Sequence, residues 1–173
     1  MTNVHLPVML AEVMEYLKPQ PGQIFVDGTL GGGGYTEALA KAVGLQGLIL
    51  GIDLDPRAIA AEQEKIRING WQQIKLVEGN FSDLDSLTAD ILPAETKIAG
   101  LVLDLGLSSN QLADPERGFS FQDSRPLDMA FGPSVKKSTK KIINHYSLEE
   151  LTRLFQIYGE EPRARLIAKR IVE

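Results

Sequence analysis

Apolar residues along the chain follow two spacings: short continuous runs, and recurrences at every third or fourth position. Continuous runs predict strands, here at residues 24–26, 48–52, 74–77 and 98–103. The helical spacing predicts helices at residues 7–17, 35–43 and 56–69. The fourth run is almost uninterrupted, as in a strand buried on both faces. Strands that alternate with helices in this way predict a parallel α/β sheet with right-handed crossovers.

The last part of the chain has a different character. A segment rich in turn residues occupies positions 106–133, and helical patterns follow at 138–144, at 147–158 and from 161 onward. Ser147 and Glu150 have the spacing of a capping box. Residues 1–130 hold 9 basic and 18 acidic side chains, whereas residues 131–173 hold 9 basic and 5 acidic ones. We therefore expect an acidic α/β domain at 1–130 and a basic helical segment at 131–173.

A run of four glycines, residues 31–34, comes shortly after the first predicted strand. Glycine costs backbone entropy and buries no side chain, so such a run suits a sharp turn that a ligand approaches closely. Asp53 directly follows the second predicted strand, 20 residues past Gly33. A glycine turn with an acid at that distance is the layout of a nucleotide-ribose site, in which the carboxylate accepts hydrogen bonds from the ribose hydroxyls. The sequence thus predicts a site for an adenosine-containing cofactor.

The composition of the glycine loop narrows the choice of cofactor. The loop does not fit the G-x-G-x-x-G/A pattern of dinucleotide sites, and it lacks the Gly-Lys-Ser/Thr ending of a phosphate-binding loop. No Lys or Arg lies between Lys18 and Lys41 to balance a phosphate. S-adenosylmethionine, which carries a sulfonium and no phosphate, fits this acidic loop better. The alternatives are a nicotinamide or flavin dinucleotide, and a strand–turn–helix junction that binds nothing.

Composition argues against several other classes of protein. The chain has 173 residues, enough for a sizeable core, and no run of about 18 apolar residues of the kind that spans a membrane. It has no cysteine, and its two histidines, His5 and His145, lie far apart, which argues against a metal site. The first residues carry no basic signal-peptide region. We expect a cytoplasmic protein without a metal or a membrane association.

A second polar loop follows the fourth predicted strand. Residues 104–111 read Asp-Leu-Gly-Leu-Ser-Ser-Asn-Gln. Ligands of parallel α/β sheets lie at the carboxyl ends of strands, where this loop and the glycine run both fall. In a methyltransferase, a carboxylate here would orient an exocyclic amine of a base and stabilise the charge that grows on its nitrogen. Asp104 is the candidate for this role and Ser108 is a second one. Alternatively, Asp104 caps the loop or binds the methionine ammonium of the cofactor.

Eight motifs together resemble one known family. In chain order they occupy residues 5–13, 26–34, 51–56, 80–81, 104–109, 117–121, 126–129 and 158–161. They are similar to the motifs of the bacterial small-subunit (16S) rRNA (cytosine-N4)-methyltransferases of the MraW type, over essentially the whole chain. The Arg-Gly-Phe-Ser-Phe motif at 117–121 and the Pro-Leu-Asp-Met motif at 126–129 are not general to methyltransferases, which makes the resemblance specific.

The resemblance implies a fold, a reaction and a set of site residues. The fold is a Rossmann-like S-adenosylmethionine methyltransferase sheet with its first four strands in the order 3-2-1-4, followed by the start of an inserted helical domain for substrate recognition. The reaction is methylation of N4 of a cytidine in small-subunit ribosomal RNA, with the free RNA or the 30S particle as partner. By position, the resemblance assigns cofactor contacts to Gly33, Gly34, Tyr35, Asp53, Phe81, Asp104 and Gln111.

The chain also departs from the family pattern. Tyr-Thr at 35–36 replaces the usual His-Ser, and Met-Ala-Phe-Gly at 129–132 replaces Met-Arg-Met-Asp. Family members are far longer, so we expect a fragment or a degenerate copy. The alternative function is accordingly an inactive remnant that binds S-adenosylmethionine or RNA.

Two surfaces are candidates for contacts with partners. With the fourth strand at the edge of the sheet, residues 98–103 are expected to pair with a second copy in a homodimer. Four lysines, at positions 136, 137, 140 and 141, either contact RNA phosphates or form a solvated helix face.

Overall fold

The computed structural model describes residues 7–89, 91–107, 111–112, 114, 117–119, 127, 129–130, 132 and 138–173. The chain forms two compact units, Met1–Asn110 and Gln111–Glu173. The predicted domain boundary at residue 130 stays a prediction, because much of the chain around it lies outside the described residues.

The first unit is built on a parallel sheet. Within the described residues its strands are β1 (Ile24–Asp27), β2 (Leu48–Asp53), β3 (Ile74–Glu78) and β4 (Gly100–Val102). They lie in the order β3-β2-β1-β4, and each neighbouring pair is parallel. The predicted α/β class, the Rossmann-like sheet and its strand order are confirmed.

Helices connect these strands. They are α1 (Leu10–Leu17), α2 (Gly34–Val43), α3 (Pro56–Asn69) and α4 (Leu84–Ala89), the last preceded by a 3₁₀ turn at Phe81–Asp83. The first helix begins later than predicted because Met9 has a φ of 60°, a left-handed conformation that an α-helix does not accommodate. The prediction for α3 is confirmed together with its cap, since the Asp55 carboxylate accepts a hydrogen bond from the amide of Arg57 at 3.0 Å.

Alternation along the central strands gives the sheet two apolar faces. On one face, Phe25 and Ile49 belong to a buried cluster that includes Leu39 of α2 and packs against α1. On the other, Val26 and Leu50 pack against side chains of α4 and its surroundings. All five residues named here are fully buried. The central position of β1 and β2 therefore fixes where their carboxyl ends emerge.

The edge strand β4 differs from the prediction. It has three residues, of which Val102 is buried, whereas Leu101 is 42% exposed and Leu103, just beyond it, 39%. The expectation that this run is buried on both faces is wrong for the described residues, because β4 pairs with β1 on one side and ends the sheet on the other. A homodimer through this edge stays a prediction.

The second unit contains the helices α5 (Thr139–His145), α6 (Leu148–Gly159) and α7 (Ala164–Val172). The predicted capping box is present, with Ser147 and Glu150 each accepting from the other's backbone. Gly159 is the last helical residue, and it is Glu160, with a φ of 47°, that takes the left-handed position after the helix. Among the helices described in either unit, none has the length and apolarity to cross a membrane.

Candidate cofactor site

Three carboxylates lie at the carboxyl ends of neighbouring strands of the sheet. Asp27, the last residue of β1, lies opposite Gly51 of β2 and Val102 of β4. Asp53 ends β2, and Asp104 follows β4. Because parallel strands end at the same edge, the fold brings the glycine run and the loop that starts at Asp104 together, as the sequence predicted.

Asp27 stabilises the turn from β1 into α2. It is fully buried, and its carboxylate accepts from the amide of Thr29 at 3.2 Å and from the hydroxyl of Thr36 at 2.7 Å. Burial raises the pKa of Asp27 to about 6, against the hydrogen bonds from Thr36 and Thr29, while the charge of Asp53 raises it further. Since Thr36 lies in the first turn of α2, the carboxylate lies at the positive end of that helix.

Asp53 binds the glycine run from the neighbouring strand. Its Oδ2 accepts from the amide of Gly31 at 2.8 Å, and its Oδ1 accepts from the amide of Asp55 at 2.9 Å. A carboxylate offers about four lone-pair positions, so each oxygen keeps acceptor capacity after these bonds. The geometry therefore allows Asp53 to shape the loop and to accept from a ribose hydroxyl at the same time.

Gly33 and Gly34 form the junction between the loop and α2. Gly33 is the residue that caps the helix, with a φ of 78°, and Gly34 is the first helical residue. A Cβ at Gly33 would clash with the carboxylate of Glu62, so a larger residue there would displace that side chain. The first N–H groups of a helix lack intrahelical partners. Gly33 is buried and its N–H donates to the carbonyl of Leu30 at 2.7 Å, whereas Gly34 is partly exposed, so it is the backbone of Gly34 that a ligand can approach.

An apolar patch lies beside the loop. The side chains of Phe81, Leu101 and Leu103 converge on Gly28, where a Cβ would lie 2.6 Å from Leu103 Cδ2 and 3.2 Å from Phe81 Cβ. All three side chains keep more than a third of their surface exposed. Phe81 was predicted for the site, whereas the two leucines were not. The patch offers apolar surface next to the carboxylates, as a flat heteroaromatic base requires.

Tyr35 is used within the fold. Its ring is 6% exposed and packs in the core, and its hydroxyl donates to the backbone carbonyl of Val8. Burial raises the pKa of Tyr35, and the carboxylates of Asp104, Asp27 and Glu12 raise it further. Because the side chain is used within the fold, the predicted contact of Tyr35 with the cofactor would be made by its backbone N–H, in the first turn of α2. That contact stays a prediction.

Asp104 is tied to the glycine loop through its backbone. Its amide donates to the hydroxyl of Thr29 at 2.6 Å, while its side chain is exposed. The loop after β4 is thereby fixed to the loop after β1. The carboxylate is accessible at the edge of the sheet where a ligand of this fold binds.

The structure does not test the roles of two predicted site residues. Ser108 lies outside the described residues, and Gln111 is a buried residue of the second unit. Their predicted roles stay predictions.

Sequence reasoning assigned no role to several residues that shape the site. Asp27 lies within the motif at 26–34, and its place directly after the first apolar run was the available signal. Glu62 falls between Ile59 and Ile66 at helical spacing, which marks it as an acid on an inward-facing stripe. Nothing local distinguishes Thr29, because its partner Asp104 is 75 residues away.

With this geometry established, comparisons with known proteins assign the family. The model of the MraW methylase family matches residues 2–173. The chain belongs to this family. The membership confirms the predicted resemblance and the prediction of S-adenosylmethionine as the cofactor.

Curated relatives match this chain over nearly its whole length. The chain is 41% identical over 173 residues to ribosomal RNA small subunit methyltransferase H of Geobacter sulfurreducens, and the match covers 100% of this chain and 55% of that protein. It is 44% identical over 171 residues to the protein of the same name from Trichlorobacter lovleyi, covering 98% and 53%. The chain thus spans about half the length of the curated relatives it matches.

A solved structure with partial similarity is an rRNA methylase from Streptococcus thermophilus. It aligns with a TM-score of 0.42 and 18% identity, over 50% of this chain and 51% of its own. An overlap of this extent carries no argument about function, so the assignment depends on the family match and the curated relatives.

The buried Asp27 carboxyl predicts a specific pH dependence of stability. Its pKa is raised to about 6 in the folded chain, so the contribution of Asp27 to stability is full below pH about 4 and is lost as the pH rises through about 6. At 1.36 kcal/mol per pKa unit, the loss is about 3 kcal/mol. The Asp27→Asn variant lacks this titration. Denaturant unfolding of both proteins at pH 4.5 and 7.5 should show the free energy of unfolding of the wild type falling relative to the variant. If the difference in free energy of unfolding between the wild type and Asp27→Asn did not change with pH, the raised pKa of Asp27 would be contradicted.

Proposed function

We propose that this chain contributes the cofactor site of an S-adenosylmethionine-dependent methyltransferase that modifies N4 of a cytidine in small-subunit (16S) ribosomal RNA. The observation that carries the cofactor part is the filling of the α2 N-terminus by the buried carboxylate of Asp27. In phosphate-binding folds that helix end is the anion site. Here an anion of the protein already occupies it.

The charges around the loop support the same choice. Asp53 and Asp104 add two further carboxylates beside the glycine run. Lys65 reaches the run from α3, but its Nζ already lies within 3.1 Å of three acceptors, the Gly32 carbonyl and the carboxylates of Glu37 and Glu62. A pyrophosphate in this environment would meet mainly negative charge, whereas a sulfonium and an ammonium are attracted to it.

Individual parts of the site match parts of the cofactor. The two oxygens of Asp53 have acceptor capacity for the ribose hydroxyls. The patch of Phe81, Leu101 and Leu103 would pack against the adenine. The partly exposed backbone of Gly34 would approach the amino-acid part, and the predicted contact of the buried Gly33 stays a prediction. These assignments extend the resemblance to groups whose geometry fits it.

Asp104 is the proposed residue for the chemical step. The cofactor supplies an electrophilic methyl group on its sulfonium. The exocyclic amine of cytosine is a weak nucleophile, because its lone pair is delocalised into the ring. The exposed Asp104 carboxylate would accept a hydrogen bond from that amine and orient it. As the N–C bond forms and the C–S bond of the sulfonium breaks, the carboxylate would stabilise the positive charge on nitrogen and accept the amine proton.

The RNA part of the proposal depends on the family and on the basic second unit. Lys140 and Lys141 are exposed on α5, where they are accessible to phosphates. The lysines at 136 and 137 lie outside the described residues. The alternative, a remnant that binds S-adenosylmethionine or RNA without turnover, is separated from the enzyme by a methyl-transfer assay on small-subunit RNA.

The role of Asp53 is tested by removing its carboxylate. Asp53→Ala should weaken S-adenosylmethionine binding by about 1.5–3 kcal/mol, the scale of hydrogen bonds to a charged group. It should also lower the free energy of unfolding, because the amides of Gly31 and Asp55 lose their acceptor. Calorimetry and denaturant unfolding measure the two effects separately. Asp83→Ala, on the neighbouring 3₁₀ turn, is the control. Unchanged affinity in Asp53→Ala would contradict the ribose assignment.

The role of Asp104 is tested in a full-length relative that carries the same residue. Asp104→Asn keeps the shape and the backbone bond to Thr29 but removes the charge, so turnover should fall about 100-fold or more. Cofactor affinity measured in parallel separates the two assigned roles. A loss of affinity with normal turnover would make Asp104 a binding residue only, and full activity would remove it from the chemistry.

Pairing through the β4 edge is tested by solution mass. If the exposed edge joins two copies, the wild type should be larger than a monomer in light scattering, and Leu101→Lys should return it to the monomer, because a charge on an edge strand opposes pairing. A wild-type chain that is monomeric at all concentrations would contradict the homodimer.

A further inference from the structure

The run of four consecutive glycines has high conformational freedom, and contacts other than those to the cofactor are needed to order it. Residues 31–34 carry no Cβ, so their backbone has more accessible conformations than any other residue type allows. A binding loop that is ordered only by its ligand loses affinity to the cost of ordering. In the folded chain the run is contacted from two sides. Asp53 holds Gly31 from β2, and a pair of charged residues holds Gly32 and Gly33 from α3.

We propose that Lys65 and Glu62 of α3 are positioning residues that set the conformation of the glycine run for cofactor binding. The proposal builds on the cofactor site put forward above, and it assigns a role to two side chains that the resemblance did not include.

Lys65 orients one peptide group of the loop. Its Nζ donates to the carbonyl of Gly32 at 2.7 Å. In a trans peptide the carbonyl and the following N–H point in opposite directions, so fixing the Gly32 carbonyl also fixes the N–H of Gly33. That N–H donates to the carbonyl of Leu30 at 2.7 Å, which closes the turn. One cation on α3 thereby determines the plane of the peptide just before α2.

Glu62 limits the position of the next residue. Its side chain is 1% exposed, and its carboxylate fills the space that a Cβ at Gly33 would take. The backbone of Gly33 thus lies directly against the carboxylate. A larger residue at Gly33 would displace Glu62, and the φ of 78° favours glycine at this position independently.

The burial of Glu62 is unfavourable for stability alone. Both of its oxygens are buried, and among the described residues the Lys65 Nζ, 3.1 Å from Oε2, is the cation that pairs with them. Burial raises the pKa of Glu62, while the hydrogen bond and the charge of Lys65 oppose the rise. A buried carboxylate held in this way is costly, so its position against the loop points to a role in shaping the loop.

Glu37 completes the cluster from α2. Its Oε1 lies 3.1 Å from the Nζ of Lys65. Lys65 therefore links α3 to the first turns of α2 as well as to the loop between β1 and α2. Its ammonium therefore has one acceptor in each of three segments, the glycine loop, α2 and α3. Three acceptors of this kind restrict the ammonium more than a single surface ion pair would.

The test compares Lys65→Met, which removes the ammonium but keeps the apolar stem, with Arg67→Met on the same helix. Arg67 is ion-paired with Glu64 at 2.6 Å and serves as the matched control. The first readout needs no cofactor: amide exchange of Gly33, followed by NMR in the free chain. Lys65→Met should accelerate it at least tenfold, Arg67→Met should not, and Lys65→Arg should restore protection.

The second readout is affinity for S-adenosylmethionine by calorimetry. Lys65→Met should weaken binding about tenfold, with Arg67→Met close to wild type. In a double-mutant cycle, Glu62→Gln should add little to Lys65→Met, because both act on the same loop. If Lys65→Met does not fold, Glu62→Gln replaces it as the test variant. Glu62→Gln should also accelerate the amide exchange of Gly33.

The outcomes separate this inference from the proposed function. Unchanged Gly33 exchange in Lys65→Met, or an equal change in Arg67→Met, would overturn the positioning role. Accelerated exchange together with a wild-type chain that does not bind S-adenosylmethionine would support the positioning role and overturn the proposed cofactor site. Accelerated exchange with unchanged affinity would overturn the claim that the loop conformation matters for binding.

Discussion

The buried carboxylate of Asp27 joins the end of β1 to the start of α2 through Thr29 and Thr36, and the rest of the site depends on this joint. The glycine loop between the two elements has no side chains with which to stabilise itself. The same Thr29 accepts from the amide of Asp104, so the loop after β4 is fixed to the one after β1. Without the Asp27 joint, neither the open backbone of the loop nor the Asp104 carboxylate would have a defined position.

This joint also explains the choice of ligand. A helix N-terminus attracts anions, and in many α/β proteins it binds the phosphates of a nucleotide. In this chain a carboxylate of the protein is buried at that end, and the next strand supplies Asp53. The arrangement therefore disfavours a phosphate at this helix N-terminus, and it agrees with the proposed ribose contact of Asp53. A positively charged adenosine derivative without phosphate is the ligand that fits both facts.

Local patterns were sufficient to predict the strands and the caps formed between residues close together in the sequence, whereas the strand order came from the family resemblance. Asp55 caps α3 through an amide two residues away, and the Ser147–Glu150 box spans three. Residues that act across the fold carried no such signal. Lys65 contacts Gly32 from 33 positions away, and the helix 84–89 is too short to show a period. The exposure of β4 was also mispredicted, because a continuous apolar run indicates a strand buried on both faces, whereas Leu101 and Leu103 are about two-fifths exposed.

The central claim is that the glycine loop binds an adenosine cofactor that carries positive charge and no phosphate. Parallel calorimetric titrations of the wild-type chain with S-adenosylmethionine and with NAD⁺ test it most directly. We expect a saturable single-site isotherm with S-adenosylmethionine and no measurable heat of binding with NAD⁺. Binding of NAD⁺ as tightly as S-adenosylmethionine, or no binding of S-adenosylmethionine by a folded chain, would contradict the account.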